Sequence, residues 1–240
     1  MSPDSRVQQM LAALTDADRL EVYNQLKAEY GIHPMEAHLK LTSDEILSAL
    51  QKMKEQNGMP WRMLRGSLAD LVYGVVVLPG LNGWSDVSFN GDMPYDYLLR
   101  SDAGEEVTVQ IKLQRSEAGQ PLEAKKNLGK DMFVVETQRT RGGKKGEKKT
   151  RPYRFGDFDL LAVSMFPSTG RWETYMYTVA KWLLPHPSEE GCLNTFQPVA
   201  KTPNADWTDS LEQAIEWLKS GQQKTITIST GPPSQQKLDL

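Results

Sequence analysis

The sequence predicts an α/β (α+β) fold: a mixed β-sheet core flanked by helices, with a helical N-terminal subdomain. Three observations predict it. Residues 1–57 carry apolar side chains at helical spacing throughout. Residues 95–179 hold five short runs of β type, four of them bounded by turn residues. An amphipathic segment at 210–219 follows the last of these. The boundaries expected are a helical subdomain at 1–58, a sheet domain at 59–230 and a disordered tail at 231–240, which reads G-P-P-S-Q-Q-K-L-D-L.

The first helix carries Val7, Met10, Leu11 and Leu14 on one face. A second follows Thr15-Asp16 with Leu20, Tyr23, Leu26 and Tyr30, and Gly31 stops it. Thr42 or Ser43 can cap a third, with Glu45 in its first turn and Ile46, Leu47, Leu50 and Met53 as its apolar stripe. Asn57-Gly58-Met59-Pro60 is expected to break it. These helices suit a helix-turn-helix-like unit or a packing and dimerisation arm. The arm is favoured because acids outnumber bases there. A fourth helix is expected at 66–78, with Leu68, Leu71, Val72, Val75 and Val76 at helical spacing, Asp70 off that stripe, and Pro79-Gly80 as its end. Strands are expected at 95–100, 107–113, 132–137, 159–166 and 172–179. The fourth is nearly all apolar and so belongs at the sheet centre.

Composition bounds the function. The chain has 240 residues, 39% hydrophobic and 25% charged, an ordinary globular balance. Its single cysteine, Cys192, cannot form an internal disulfide and fits a reducing, cytoplasmic setting. The N-terminus lacks a signal-like apolar region, and the longest apolar run, at 71–78, is too short to span a bilayer. His33, His38 and His186 lack zinc spacing, and no phosphate-binding G-x-x-x-x-G-K-[ST] occurs, so no nucleotide cofactor is expected. Trp61, Trp84, Trp172, Trp182 and Trp207 could stack on bases but are more simply core or rim residues. The net charge is −3, unevenly spread. Residues 139–154 hold eight bases (Arg139, Arg141, Lys144, Lys145, Lys148, Lys149, Arg151, Arg154) and one acid, Glu147. That segment carries +7 and the remainder −10, which suits either a solvated loop or a polyanion-binding arm.

The segment 94–112 carries the strongest signal. It reads P-Y-D-Y-L-L-R-S-D-A-G-E-E-V-T-V-Q-I-K. Residues 102–105 form a turn between two strands. Gln110 and Lys112, two apart, share a face, Ile111 points to the core, and a hairpin brings Asp96 beside them. This arrangement resembles the PD-(D/E)xK nuclease superfamily, with Pro94-Tyr95-Asp96 for its first element and Gln110-Ile111-Lys112 as a Gln variant of its second. The order helix, three strands, connection, strand is similar to that family's αβββαβ core, and Asp70 matches its helical acid, which is more often Glu. Residues 110–115, 136–143 and 150–163 look like type II restriction endonucleases, over roughly residues 60–220.

The resemblance implies a restriction-endonuclease-like fold, a Mg2+ cofactor, double-stranded DNA as substrate and a homodimer. Asp96, Asp70 and the Ile111 carbonyl would be metal ligands. Gln110 would offer a neutral amide oxygen, one negative charge fewer than an acid. Lys112 would hold the attacking water, and two carboxylates beside it are expected to keep it protonated. Glu136 either orients Lys112 or pairs with a nearby arginine. Gln114, Arg115, Gln138, Arg139, Arg141, Lys144, Lys145, Lys148, Lys149, Arg151 and Arg154 would face DNA. Singly, Asp96 reads as a turn cap, Gln110 as a cross-strand hydrogen bonder and Lys112 as a snorkelling strand residue. Two other readings stay open: a nuclease of methylated DNA, and a non-catalytic DNA binder on a degenerate nuclease fold.

Overall fold

The structure is a computed structural model. It describes residues 3–30, 34–89, 91, 93–125, 128–129, 131–139, 144–145, 148–149 and 152–228. The tail at 231–240 lies outside the described residues. The chain divides into two compact units, Met1–Arg62 and Met63–Leu240.

The first unit holds α1 (Pro3–Ala12), α2 (Asp16–Tyr30), α3 (Pro34–Leu39) and α4 (Ser43–Gln56). Thr42 caps α4. Its side chain accepts the Glu45 N–H, and the Glu45 carboxylate accepts the Thr42 N–H at 2.8 Å, a reciprocal capping box. Asn57 ends the helix in the left-handed region at φ 45°. The expected apolar stripes do not make a closed core. Val7, Met10, Leu20 and Leu47 are all exposed, and α4 buries no residue fully. Helical periodicity shows which face is apolar; only a second layer can cover it.

The second unit is built on a five-stranded mixed sheet. A long helix, α5 (Met59–Val72), leads into it, continues through a π turn (Tyr73–Val77) and ends in a 3-10 turn (Leu78–Gly80). The strands are β1 (Trp84–Asp86), β2 (Tyr97–Ser101), β3 (Glu106–Leu113), β4 (Ser116–Glu117), β5 (Gln120–Pro121), β6 (Met132–Glu136), β7 (Lys144–Lys145), β8 (Lys148–Lys149), β9 (Leu160–Ser164), β10 (Tyr175–Val179) and β11 (Phe196–Ala200). A short helix, α6 (Phe166–Thr169), joins β9 to β10, and α7 (Leu211–Lys219) follows β11. The main sheet runs β1-β2-β3-β9-β10. β1, β2 and β3 form an antiparallel meander, β9 lies parallel to β3, and β10 returns antiparallel to β9. As expected of a central strand, every residue of β9 is buried. α7 starts at the Ser210 cap, whose hydroxyl accepts the Gln213 N–H at 3.1 Å.

Two expectations change. α5 starts at Met59, not Gly66, because Pro60 falls in the first turn, where its missing N–H costs nothing. Its buried face is Ala69 and Tyr73, both fully buried, while Leu71, Val75 and Val76 are 60%, 71% and 53% exposed. Asp70 therefore borders the inner face. The stretch Met59–Gly80 is long and apolar enough to cross a membrane by length and composition. Its inner face is nevertheless packed in the sheet core. Finally, the strand expected at 132–137 lies outside the main sheet and pairs with β11. That partner is hard to read in sequence because Pro198 interrupts it, and a proline withholds a ladder donor. The third antiparallel strand is instead the short β1.

Candidate functional site

The β2–β3 hairpin delivers the central residues. Its turn closes with the Gly104 N–H on the Ser101 carbonyl at 2.9 Å and the Ser101 N–H on the Glu105 carbonyl at 2.8 Å. Gly104 adopts φ +84°, which disfavours any side chain bearing a Cβ. In this register Tyr97 faces Val109. One residue further, Asp96 falls opposite Gln110, and its N–H donates to the Val109 carbonyl at 3.0 Å. Opposite residues of an antiparallel pair share a face.

The side chains meet there. The Asp96 Oδ2 accepts the Ile111 N–H at 2.7 Å and also a hydrogen bond from the Gln110 amide nitrogen. That same nitrogen donates to the Ile111 carbonyl at 3.1 Å. Gln110 is 2% exposed and joins two of the expected ligand oxygens. Burial pushes the Asp96 carboxyl up to about 6; Lys112 opposes this and the Asp70 charge adds to it. Burial likewise raises Asp70, against the Tyr97 hydroxyl and Lys112. The two carboxylates and the ammonium thus share one electrostatic environment.

Lys112 is subject to opposing effects. Burial lowers its proton affinity, and this outweighs the pull of Asp96, Asp70 and Glu136; Arg139 lowers it further. Desolvation of the ammonium is a larger effect than the attraction of the two carboxylates. Its Nζ donates to the Tyr153 Oη at 3.3 Å and lies 5.2 Å from that ring's centroid. The Arg139 guanidinium lies 5.5 Å from the same ring. Tyr153, itself buried, was not marked by the sequence, where it sits between two arginines in R-P-Y-R.

Glu136 pairs with an arginine, one of its two expected roles. It is ion-paired with Arg115 and accepts the Gln138 amide, and its charge also acts on Lys112. These contacts pair Arg115 and Gln138 within the protein. The Arg115 guanidinium also lies 5.6 Å from the Phe196 ring centroid. Gln114, expected on the DNA side, is 1% exposed and accepts the Ser168 N–H at 3.1 Å. Its place at the end of a central strand turns it into the fold. Arg139 lies 3.8 Å from Asp157, and its Nε is buried with no hydrogen-bond partner among the described residues. Arg154 reaches the Glu190 carbonyl at 3.5 Å. Lys144 and Lys145 pair antiparallel with Lys149 and Lys148. The Gln138–Pro152 bridge lies at the base of this basic arm. Arg141 and Arg151 lie outside the described residues.

The site is thus a cluster of two half-buried carboxylates, an amide and an ammonium on a mixed α+β scaffold. The sequence matches no family model and no curated protein. Among solved structures, a bacterial homing endonuclease, I-Ssp6803I, aligns with 66% of this chain and 94% of its own, at 19% identity and a TM-score of 0.37. A likeness that loose says nothing of activity.

Proposed function

We propose that the chain is a metal-dependent endonuclease that hydrolyses phosphodiester bonds of duplex DNA at a short specific site, as type II restriction enzymes do. One observation carries this reading: the Asp96 carboxylate, hydrogen-bonded by the Gln110 amide and the Ile111 N–H, interacts electrostatically with both Lys112 on β3 and Asp70 on α5. The donor set fits a hard cation. It is made of oxygens, and burial disfavours the charge on both carboxylates, so a divalent ion would offset a real electrostatic cost. Among the described residues no group of three His, Cys, Asp or Glu side chains is present. Two carboxylates suit Mg2+, which takes few protein ligands and completes its shell with water and phosphate.

Asp96, Asp70 and the Ile111 carbonyl would hold the ion. When bound, Mg2+ supplies Lewis-acid charge at a phosphate oxygen and acidifies water. Lys112 would donate from Nζ to a water or phosphate oxygen. Gln110 fixes the Asp96 carboxylate through its amide nitrogen. Arg139 and the lysine arm would meet the DNA backbone, and two copies would cut the two strands of a symmetric site.

The test is cleavage of methylated and unmethylated plasmid and phage DNA in Mg2+ or EDTA. Wild-type protein should give discrete fragments in Mg2+ alone. Asp96→Ala and Lys112→Ala should bind DNA in gel shifts and leave it intact. Binding without product from the wild type would overturn the nuclease reading. Cutting at the wild-type rate by either variant would overturn the site.

A further inference from the structure

Two tyrosines connect the sheet to the helix that carries Asp70. Tyr97 opens β2 and directly follows Asp96; its Oη donates to the Asp70 carbonyl at 2.8 Å. Tyr175 opens β10 and donates to the neighbouring Ala69 carbonyl at 2.6 Å. A helical carbonyl has a second lone pair, so it can accept a hydroxyl beside its backbone partner. Just beyond these carbonyls the helix widens into the π turn, where the Leu78 N–H reaches back to the Tyr73 carbonyl.

The hydroxyl positions are fixed sideways as well. The Tyr73 ring packs at 5.3 Å from that of Tyr97 and 5.0 Å from that of Tyr175, centroid to centroid. Gly74 lies against Tyr97. A Cβ at position 74 would stand 2.6 Å from the Tyr97 Oη and 3.3 Å from two ring carbons. Glycine within a helix costs about 0.5–1 kcal/mol relative to alanine, and here it allows the close approach.

We infer, building on the nuclease reading, that Tyr97 is a positioning residue that sets the spacing of the Asp70 and Asp96 carboxylates, and that Gly74 makes room for it. One residue joins both acids: through its own peptide bond to Asp96 and through its hydroxyl to the Asp70 backbone. Asp70 and Asp96 stand on different elements, so a small slide of α5 over the sheet would change their separation. Displacements of about 1 Å in such constellations can cost about a hundredfold in rate. In this role Tyr97 acts through Asp70.

The test uses full-length wild type, Tyr97→Phe, Asp70→Asn and the double variant. Mg2+ affinity is read by calorimetry, cleavage by plasmid assay and folding by thermal melts. Tyr97→Phe should melt near the wild type, bind Mg2+ about tenfold more weakly and cut about tenfold or more slowly. In the Asp70→Asn background it should change neither Mg2+ affinity nor rate. Additive losses in the double variant, or unchanged Mg2+ affinity in Tyr97→Phe, would reduce Tyr97 to a packing residue and overturn the inference. Should Tyr97→Phe fail to fold, Gly74→Ala displaces the hydroxyl with the ring kept. It should weaken Mg2+ binding likewise, and no weakening would overturn the inference. A wild type that neither binds Mg2+ nor cuts would sink the nuclease reading, and this inference with it. A wild type that does both, with additive variants, would sink the inference alone.

Discussion

Asp96→Asn should make the metal-free protein more stable. The Asp96 carboxyl is raised from 3.8 to about 6, chiefly by burial. That rise corresponds to roughly 3 kcal/mol between its protonated and ionised forms. The folded-state value lies above the unfolded one, so the folded protein holds the extra proton between them. Stability therefore falls as pH rises from about 4 to about 6, and the full penalty stands at pH 7 and above. Asparagine keeps the geometry. One oxygen accepts both the Ile111 N–H and the Gln110 amide, and the asparagine amide oxygen can take its place. The variant mimics the protonated acid at every pH. Its gain should be about 3 kcal/mol at pH 7.5, about half that at pH 5, and small at pH 4. For a chain of this size that gain is a rise of roughly 6–12 °C in Tm. Melts in EDTA, from pH 4 to 8, give the measurement. A gain that does not vary with pH, or a loss at pH 7.5, would refute the claim that an ionised, poorly solvated Asp96 burdens the fold.

Three other outcomes follow from the same geometry. Because Asp96 must shed its proton to ligate, the half-saturating Mg2+ concentration should rise about tenfold per pH unit below about 6, read by calorimetry; a flat profile from pH 5 to 7 would exclude Asp96 from the ligand set. Gln110→Glu turns a hydrogen bond to Asp96 into carboxylate repulsion in a buried place, so it should destabilise the metal-free protein by about 2 kcal/mol or more while tightening Mg2+ binding. Melts with and without Mg2+ decide it, and an unchanged metal response would remove Gln110 from the site. Replacing Lys144, Lys145, Lys148 and Lys149 by serine should reduce the magnitude of the salt slope of DNA binding by about 3–4, with melting unchanged. An unaltered slope would make the arm a solvated hairpin.

Much of the site was legible because its geometry is local. Two strands joined by a Gly104 turn, with Gln110 and Lys112 on alternate positions, allow one pairing that puts Asp96 on their face. What was not legible depends on surroundings. Leu71, Val75 and Val76 form an apolar stripe on this helix, yet small Ala69 and polar-tipped Tyr73 are what the sheet covers. A period of 3.6 describes the chain, not the neighbour. Gln114 and Arg115 look alike as polar residues after a strand, and only packing against Ser168 hides the first of them. The tyrosines that hold α5 lie 27 and 106 residues from their acceptors, so no window of sequence contains both partners.

The amino-acid order by itself determined the hairpin and its facing polar trio, the capped α4, the nearly all-apolar central strand and the concentration of +7 charge in residues 139–154. Each follows from bond geometry, alternation or counting within a few residues. Tertiary structure decided which side of α5 is covered, that β6 pairs with β11, that the Asp70 charge acts on Asp96, and that burial lowers the proton affinity of Lys112. Those outcomes depend on how much water the folded chain removes from a group, and desolvation is a property of everything packed around it.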